Sequence, residues 1–186
     1  MRWDIQLARE SSELEQILEL QRQNHVAALT PEQALAQGFV TARHSLDSLQ
    51  QMHALAPSVV ARAVPGGQLA GYALTMLREA RALVPILEPM FQLLESLSWR
   101  GAPLAELDYY VMGQICVAEP FRGQGMVDAL YRGHQLHYAR RFELLVTEIS
   151  TRNERSLRAH RRVGFEAVQR YRDSADEWLV VAWDWR

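Results

Sequence analysis

The most constraining feature of this sequence is an apolar strand that runs through a glycine-rich turn into an amphipathic helix. The strand covers Tyr109–Val117, the turn contains Arg122, Gly123 and Gly125, and the helix is predicted over Met126–Arg141. Glycines let a backbone approach a ligand closely, and the first N–H groups of a helix have no partner within it. Together with the helix dipole, these groups predict an anion-binding site at the turn.

The turn does not fit the two best-known phosphate-binding motifs. It lacks the Gly-Lys-Ser/Thr ending of a Walker loop and the Gly-x-Gly-x-x-Gly spacing of a Rossmann dinucleotide site. A simple connection between a strand and a helix is an alternative, because two glycines separated by one residue are common. The turn alone therefore leaves both interpretations open.

Strand and helix patterns alternate along the chain. Predicted strands besides Tyr109–Val117 are Arg2–Leu7, Ser58–Val64, Gln68–Leu77, Phe142–Ile149, Glu166–Tyr171 and Trp178–Trp185. Predicted helices begin near Ser11, Pro31 and Ser45, and others are expected over 83–97, 126–141 and Asn153–Val163. No repeat or linker interrupts the pattern, so the sequence predicts a single α/β (α+β) domain over residues 1–186 with a mixed sheet.

Composition restricts the class of protein and its surroundings. The chain has 186 residues, 48% of them hydrophobic, and buries enough surface to fold without a disulfide or a metal. Cys116 is the sole cysteine, which excludes an internal disulfide and fits a reducing compartment. No apolar run approaches the roughly 18 residues of a membrane span, and the first residues lack an apolar signal core. A cytoplasmic protein without a membrane partner is therefore expected.

All 20 basic residues are arginines, and they are unevenly distributed. The formal net charge is −2, but residues 122–172 carry 11 arginines against 5 acidic residues, a local charge of +6. A basic stretch inside an acidic protein favours an anionic ligand, although a solvated helix face would give the same count. The mild overall acidity argues against a dedicated DNA-binding protein, so no nucleic-acid partner is expected.

Two segments resemble motifs of the GCN5-related N-acetyltransferases (GNAT). Arg122–Val127 (RGQGMV) is similar to the Arg/Gln-x-x-Gly-x-Gly/Ala loop with which that family binds the pyrophosphate of acetyl-CoA. Glu148–Asn153 (EISTRN), continued by Ser156, His160 and Val163–Phe165, resembles a strand end and the helix that follows it in the same family. One helix and one strand separate the two segments, as they do in the family.

The resemblance is specific over about residues 110–166 and weak over 1–57. It implies a mixed, mostly antiparallel sheet flanked by helices, with a helical insertion before the central strand. It also implies acetyl-CoA as cosubstrate, no metal, and a Val117 N–H that binds the thioester carbonyl. The residues that match cosubstrate-binding positions are Cys116, Val117, Arg122, Gly123, Gln124, Gly125, Met126, Val127, Asn153 and Ser156.

Two positions depart from the family pattern. Val127 stands where the family has glycine or alanine, and its branched side chain crowds the approach of a pyrophosphate to the helix. Backbone N–H donation survives this change, so binding is expected to persist in weakened form. His160 stands where many members carry a tyrosine that acts as general acid.

The resemblance also suggests catalytic residues. Glu148 matches a glutamate that some relatives use to deprotonate the amine, and a structural carboxylate bonded to a neighbouring amide is the alternative. His160 is the candidate acid for the CoA thiolate, because an imidazole pKa of about 6.5 allows either protonation state. The alternative is a histidine packed against Phe165. Asn153 is expected to cap its helix and, in the family interpretation, to contact the pantetheine arm.

Three other reactive side chains receive structural interpretations. Cys116 is expected to be a small buried hydrophobe rather than a nucleophile, because no histidine and asparagine pattern accompanies it. His134 and His137 lie three residues apart on a predicted helix but lack a third ligand at a diagnostic spacing. The sequence therefore predicts no metal site.

About 30 residues, Arg78–Asp108, stand where the family has a short turn. This helical insertion (78–108) is predicted to cover the acceptor side or to build a homodimer interface, and a satellite packing helix is the alternative. Acceptor contacts are expected from one or more of Phe39, His44, Trp99, Tyr109 and Tyr110. Nothing in the sequence ranks these five residues.

Together these observations predict an acetyl-CoA-dependent N-acetyltransferase that transfers acetyl directly to a primary amine. A small-molecule or amino-acid-like acceptor is favoured over a protein, since no acidic tract for a basic peptide is visible. The alternatives are a protein N-acetyltransferase and a non-catalytic acyl-CoA-binding or regulatory module on the same fold. An RNA-associated protein is a further alternative, but no aromatic stacking platform accompanies the arginines.

Overall fold

The computed structural model of the protein describes residues 2–186, apart from the side chain of Ile86, and Met1 lies outside it. A seven-stranded sheet consists of β1 Arg2–Leu7, β2 Val59–Val64, β3 Leu69–Met76, β4 Tyr109–Val117, β5 Leu144–Ser150, β6 Glu166–Arg172 and β7 Glu177–Asp184. Their spatial order is β1-β2-β3-β4-β5-β7-β6, and all neighbouring pairs are antiparallel except β4–β5. The predicted mixed, mostly antiparallel sheet is confirmed.

The helices of the described chain are α1 Ser11–Asn24, α2 Pro31–Gln37, α3 Leu46–Leu55, α4 Glu88–Ser96, α5 Met126–Tyr138 and α6 Glu154–Val163. Successive side chains of a strand point to opposite faces, so the sheet supports two cores. On β5, Val146 joins the core that contains α1, α3 and α4, whereas Leu145 joins the core that contains α5 and α6. Across residues 2–186, no helix is long and apolar enough to cross a bilayer.

Local polar groups set where several helices begin. Thr30 accepts the Gln33 N–H at 3.2 Å, the Gln33 side chain accepts the Thr30 N–H at 2.9 Å, and Pro31 holds the first helical position. Asn153 caps α6 by accepting the Ser156 N–H at 3.2 Å, as predicted. These helix starts are readable in the sequence because each depends on residues that are close in the chain.

The insertion between β3 and β4 is only partly α-helical. Two 3₁₀ segments, Arg78–Leu83 and Pro85–Leu87, come first, and α4 begins at Glu88, a late start for the predicted 83–97 helix that Pro85 and Pro89 lead one to expect. Proline has no N–H to donate within a helix, so Pro85 and Pro89 are each confined to a first turn. Met90, Phe91 and Leu94 of α4 are buried in the core shared with α1 and α3.

A short ribbon that the sequence pattern does not predict follows α4. Ser98–Trp99 pairs antiparallel with Ala102–Pro103. The Trp99 indole N–H donates to the Asp184 carboxylate at 2.9 Å, which fastens the insertion to the last strand of the sheet. The insertion is therefore built into the domain, as its burial in the core also shows.

Strands β4 and β5 pair with each other only at one end. Tyr109–Val111 pair in parallel with Leu144–Val146, and within the described chain their pairing stops there. On its other side β4 stays paired with β3 as far as Val117. The two strands consequently diverge, and an opening forms between their carboxyl ends.

Candidate active site

Two cavities meet at the opening between β4 and β5. The large cavity, of about 540 Å³, reaches from this opening to the N-termini of α5 and α6. The small cavity, of about 80 Å³, lies between the diverging strands and beside the insertion. Both cavities are lined by Phe39, Val40, Ile115, Asn153, Ser156 and His160.

Nine of the ten residues predicted to contact acetyl-CoA line the large cavity, namely Cys116, Val117, Arg122, Gly123, Gly125, Met126, Val127, Asn153 and Ser156. The tenth, Gln124, does not line it, and its side-chain amide donates to the Pro120 carbonyl at 3.0 Å. Two sequence motifs therefore meet at one cavity, because β4 and β5 are neighbours in the sheet. The contacts of each residue with acetyl-CoA stay predictions.

The turn before α5 forms a cradle of unpaired N–H groups. Gly123 and Gly125 have φ values of +73° and +80°, a left-handed backbone that favours glycine. Ala129 is the first residue of α5 to donate within the helix, to the Gly125 carbonyl at 3.1 Å, so the N–H groups of 126–128 have no helical partner. A Cβ at either glycine would meet open space, so the backbone conformation rather than crowding requires glycine.

The N–H groups of Ile115 and Val117 point into the opening. The Ala118 N–H donates to the Ala70 carbonyl at 2.9 Å, and hydrogen bonding alternates along an antiparallel pair. This alternation turns the Cys116 N–H toward β3 and leaves those of Ile115 and Val117 on the side from which β5 has diverged. The Val117 N–H is thus turned toward the opening, as its predicted contact with a thioester carbonyl requires. The Ile115 N–H is a second donor on the same side, and the sequence did not single it out.

Arg122 binds protein groups with all three guanidinium nitrogens. Nε donates to the Val117 carbonyl at 3.0 Å, and the terminal nitrogens donate to the side-chain oxygens of Asn24 and Gln37. These partners are the last residues of α1 and α2. The arginine of the motif therefore braces the turn against the N-terminal helices, and the backbone is left to face the large cavity.

Replacing Arg122 with alanine is expected to destabilise the fold by about 2 kcal/mol, because Asn24 is buried and loses a charged donor. Urea unfolding measures this change. Arg132→Ala on the exposed face of α5 is the control and should change stability by less than about 0.5 kcal/mol. Equal stability of the two variants would contradict the bracing role.

The segment after α2 lies against the start of α6. The Asn153 side-chain amide donates to the Phe39 carbonyl at 3.0 Å, and Arg155 donates to the Ala36 carbonyl at 3.0 Å. Gly38 has a φ of +76°, and a Cβ there would lie 3.0 Å from the Asn153 side chain. These contacts bring the N-terminal third of the chain, where the sequence resemblance is weak, to both cavities.

His160 is buried with both ring nitrogens bonded. Nδ1 lies 2.8 Å from the Ser156 carbonyl, and Nε2 bonds to the Tyr131 hydroxyl. A carbonyl only accepts, so Nδ1 carries the ring proton and Nε2 accepts from Tyr131. Burial lowers the pKa of His160 to about 4, with opposition from the Ser156 hydrogen bond. The ring also packs edge-on against Phe165, at 5.0 Å between centroids.

These bonds weigh against the predicted acid role. At physiological pH the His160 ring is neutral, and its one proton is held by the Ser156 carbonyl. While both hydrogen bonds persist, the ring has no N–H to give to a thiolate. The general-acid assignment of His160 stays a prediction, and its packing against Phe165 matches the structural alternative.

Glu148 is the one charged side chain among the described residues that line the small cavity. Burial raises its pKa from 4.5 to about 7, while a hydrogen bond from Tyr171 opposes the shift and the Asp173 carboxylate adds to it. The Tyr171 hydroxyl donates to Oε2, and within residues 2–186 no donor reaches Oε1. A carboxyl with this pKa and a free oxygen can accept a proton at neutral pH.

The five residues expected to contact the acceptor differ in whether they line a cavity. Phe39 lines both cavities, whereas the other four do not line either one. His44 is bonded to Gln21 in the core, Trp99 to Asp184, and the Tyr110 hydroxyl to His134. Tyr109 lies under the Arg78 guanidinium at the far end of β4. Leu87 and Met90 of the insertion line the small cavity instead, and no sequence signal ranked them.

Two structural interpretations from the sequence can be compared with the fold. Cys116 is buried, and burial raises the pKa of its thiol to about 12, which suits a buried hydrophobe and opposes a nucleophile. His134 is fully buried, with Nδ1 at 2.8 Å from the Tyr110 hydroxyl. Within residues 2–186 no group of three or more His, Cys, Asp or Glu residues is placed to hold a metal ion.

Four of the eleven arginines between residues 122 and 172 line the large cavity, namely Arg122, Arg155, Arg158 and Arg162. Arg158 is paired with Glu154 at 3.1 Å, and Arg162 with Asp128 at 3.0 Å. The other seven are exposed and line neither cavity. The local positive charge is therefore in part a feature of the cavity wall and in part a solvated surface.

Solved structures share this arrangement of strands and helices. The ribosomal-protein-S18-alanine N-acetyltransferase of Escherichia coli superposes with a TM-score of 0.66 at 13% identity, covering 98% of this chain and 94% of that one. An acetyltransferase of the GNAT family from Streptococcus agalactiae superposes with a TM-score of 0.66 at 14% identity, covering 99% and 96%. This chain has the GNAT fold.

A third neighbour was solved with a cofactor. It is a protein from Salmonella typhimurium, assigned as an acetyltransferase and containing acetyl-CoA, with a TM-score of 0.61 at 17% identity over 99% of this chain and 94% of that one. No protein-family model matches the chain, and no curated protein sequence matches it. The GNAT fold is thus shared at a sequence identity too low to transfer a substrate.

Proposed function

We propose that this protein is an acetyl-CoA-dependent N-acetyltransferase that acts on a primary amine of a small molecule. The observation that carries the proposal is that two neighbouring cavities, which share six lining residues, hold two complementary chemical features. A cradle of backbone N–H groups lies in the large cavity, and the half-neutral carboxyl of Glu148 lies in the small cavity. Acetyl transfer to an amine needs both an anion site and a base.

The residues of the large cavity fit acetyl-CoA. Its volume of about 540 Å³ is within the usual range for cofactor sites. The N–H groups of 126–128 would hold the pyrophosphate, as helix N-termini hold phosphates elsewhere, and Arg155, Arg158 and Arg162 supply positive charge nearby. Ile115 and Val117 would pair with the pantetheine arm and polarise the thioester carbonyl. Bound there, acetyl-CoA supplies the activated acetyl group.

Glu148 would act as the general base. The attacking amine must lose a proton, and Glu148 lines the small cavity from β5, opposite the strand that carries the Ile115 and Val117 donors. The pKa of about 7 makes this carboxylate a stronger base than an exposed one while leaving half of it ionised at neutral pH. A thiolate is a good leaving group, since thiol pKa values are near 8.5, so the reaction does not require His160 as acid.

A non-catalytic CoA-binding module is the second candidate, and one observation favours it. The position at which many GNAT proteins carry an acid is occupied here by a histidine without an available proton. Val127 also lines the large cavity, where its side chain is expected to weaken pyrophosphate binding. Neither feature interferes with Glu148, so we favour the enzyme. A cytoplasmic location and a homodimer through the insertion stay predictions.

A thiol-release assay tests the proposed function. The full chain is mixed with acetyl-CoA and a panel of monoamines, amino acids, polyamines and short peptides, and products are identified by mass spectrometry. We expect acetylated amine and free CoA in equal amounts, with turnover well above hydrolysis of acetyl-CoA alone. CoA binding by calorimetry without turnover on any acceptor would establish the non-catalytic module instead.

A further inference from the structure

The charge of the small cavity limits what can bind beside Glu148. Among its described lining residues, no arginine is present and Glu148 is the one charged group. His160 also reaches this cavity, but burial keeps it neutral at physiological pH. A ligand group with a negative charge would therefore find a second negative charge and no cation.

Three of the polar side chains that line the small cavity are already bonded to protein groups. The Gln114 amide donates to the Ala42 carbonyl at 2.9 Å, and its oxygen accepts from Gln21 at 2.8 Å. The Thr147 hydroxyl donates to the Met112 carbonyl at 2.9 Å. The Ser150 hydroxyl donates to Asp176 at 2.6 Å. The buried Trp178 indole N–H, which also belongs to this lining, has no hydrogen-bond partner, so an uncharged donor remains but no described cation does.

Part of the remaining wall is apolar, and some of that apolar surface comes from the insertion. Phe39 lies on one side, and Leu87 and Met90 of the insertion lie on another. The volume of about 80 Å³ has room for roughly five water-sized groups. The part of an acceptor next to its nitrogen must therefore be compact.

We infer that the acceptor is a compact primary amine with no carboxylate on the carbon that bears the nitrogen. This inference rests on the proposed function, because it assigns the small cavity to the acceptor. A carboxylate placed there would lose its water without gaining a charged partner and would be repelled by ionised Glu148. Free α-amino acids are accordingly poor acceptors, and the insertion is a specificity element.

Three acceptors with the same branched hydrocarbon chain test the inference, and two of them, leucinamide and leucine, also have nearly equal shape. They are 3-methylbutylamine, leucinamide and leucine, of which leucine alone carries a carboxylate. Thiol release is compared at equal concentrations of the unprotonated amine. We expect kcat/KM to be at least about 100-fold lower for leucine than for leucinamide, which corresponds to about 2.7 kcal/mol. Equal values for leucine and leucinamide would overturn the inference while leaving the proposed function intact.

A binding measurement separates failure of the inference from failure of the proposed function. Calorimetric titration of the CoA-saturated protein with the same three compounds reports selectivity without turnover. Preferential binding of 3-methylbutylamine and leucinamide supports the inference even if no acetyl group is transferred. Absence of thiol release with acetyl-CoA bound would overturn the proposed function. Tighter binding of leucine would overturn the inference.

A substitution in the insertion adds a second test. Leu87→Arg places a cation at the wall of the small cavity, and Leu87→Met is the neutral control. We expect the arginine variant to raise the leucine-to-leucinamide ratio of kcat/KM by at least about tenfold and the methionine variant to keep it. Circular dichroism checks that both variants are folded. An unchanged ratio in folded Leu87→Arg would contradict the placement of the acceptor beside the insertion.

Discussion

Replacing Glu148 with glutamine is expected to lower kcat by at least about 100-fold, since a general base contributes about 10²–10⁴ to the rate. Glutamine has the size of glutamate and keeps a hydrogen-bond acceptor for Tyr171, so the small cavity should keep its shape. Acetyl-CoA binds through the large cavity, which Glu148 does not line, so its affinity should change by less than about twofold. Steady-state kinetics and calorimetry measure the two effects.

The pH dependence identifies the group that titrates. In the wild type, kcat/KM should rise through about pH 7 as Glu148 loses its proton, and a weakly basic acceptor keeps the amine's own titration out of the profile. Tyr171→Phe removes a hydrogen bond that favours the ionised carboxylate, so the midpoint should move to higher pH. Full turnover by Glu148→Gln, or an unmoved midpoint in Tyr171→Phe, would rule out Glu148 as the base.

The stability of the glutamine variant provides an internal control. The Glu148 pKa is raised by burial, so the folded protein retains a proton that the unfolded chain loses above pH 4.5. Wild-type stability from this group is complete below pH 4.5 and falls by up to about 3 kcal/mol as pH rises to about 7. Glu148→Gln avoids this loss and should be more stable than wild type at pH 8. An inactive but stabilised variant cannot be explained by unfolding.

Replacing Gly125 with valine is expected to weaken acetyl-CoA binding by at least about 30-fold, because each charge-assisted hydrogen bond contributes about 1.5–3 kcal/mol. Gly125 has a φ of +80°, which a β-branched residue avoids at a cost of about 1–2 kcal/mol. The turn should relax toward negative φ and redirect the N–H groups of 126–128 away from the large cavity. Calorimetric titration with acetyl-CoA measures the loss.

Gly101→Val is the matched control for this prediction. Gly101 has a φ of +88°, and a Cβ at this position, like one at Gly125, would have no neighbouring atom within 4 Å. Gly101 lies in the ribbon of the insertion, however, and lines neither cavity. Both variants should lose similar stability because both place valine in a left-handed backbone. Only Gly125→Val should lose affinity for acetyl-CoA. Similar affinities for the two variants would show that the turn does not bind the pyrophosphate.

Much of the fold is predictable from local patterns. The bounds of β1 and β4 coincide with the predicted strands, and the Thr30 and Asn153 caps begin α2 and α6 as expected. The structure differs from the predicted elements where contacts between residues distant in the sequence determine the local conformation. The ribbon that contains Trp99 is held to the sheet by a hydrogen bond to Asp184, which lies 85 residues further along the chain. No local sequence pattern predicts this contact.

The candidate site shows the same division. Nine of the ten residues predicted to contact acetyl-CoA line the large cavity, because the turn and the start of α6 are contiguous motifs with characteristic residue types. The bracing role of Arg122 was not predicted, because its partners Asn24 and Gln37 come from N-terminal helices that are distant in the sequence. Tyr171 and Leu87 were also missed, since a tyrosine in an edge strand and a leucine in an insertion carry no distinguishing pattern.

The amino-acid sequence alone predicted a mixed sheet, an anion-binding turn of backbone N–H groups and Glu148 as a candidate base. These features follow from residue periodicity, from glycines that permit a left-handed backbone, and from short motifs. Tertiary structure alone decided that the Glu148 pKa is near 7, that both His160 ring nitrogens are bonded, and that no arginine is among the described residues lining the small cavity. Burial and hydrogen-bond partners depend on segments brought together from across the chain, and the electrostatics of the site are set by those partners.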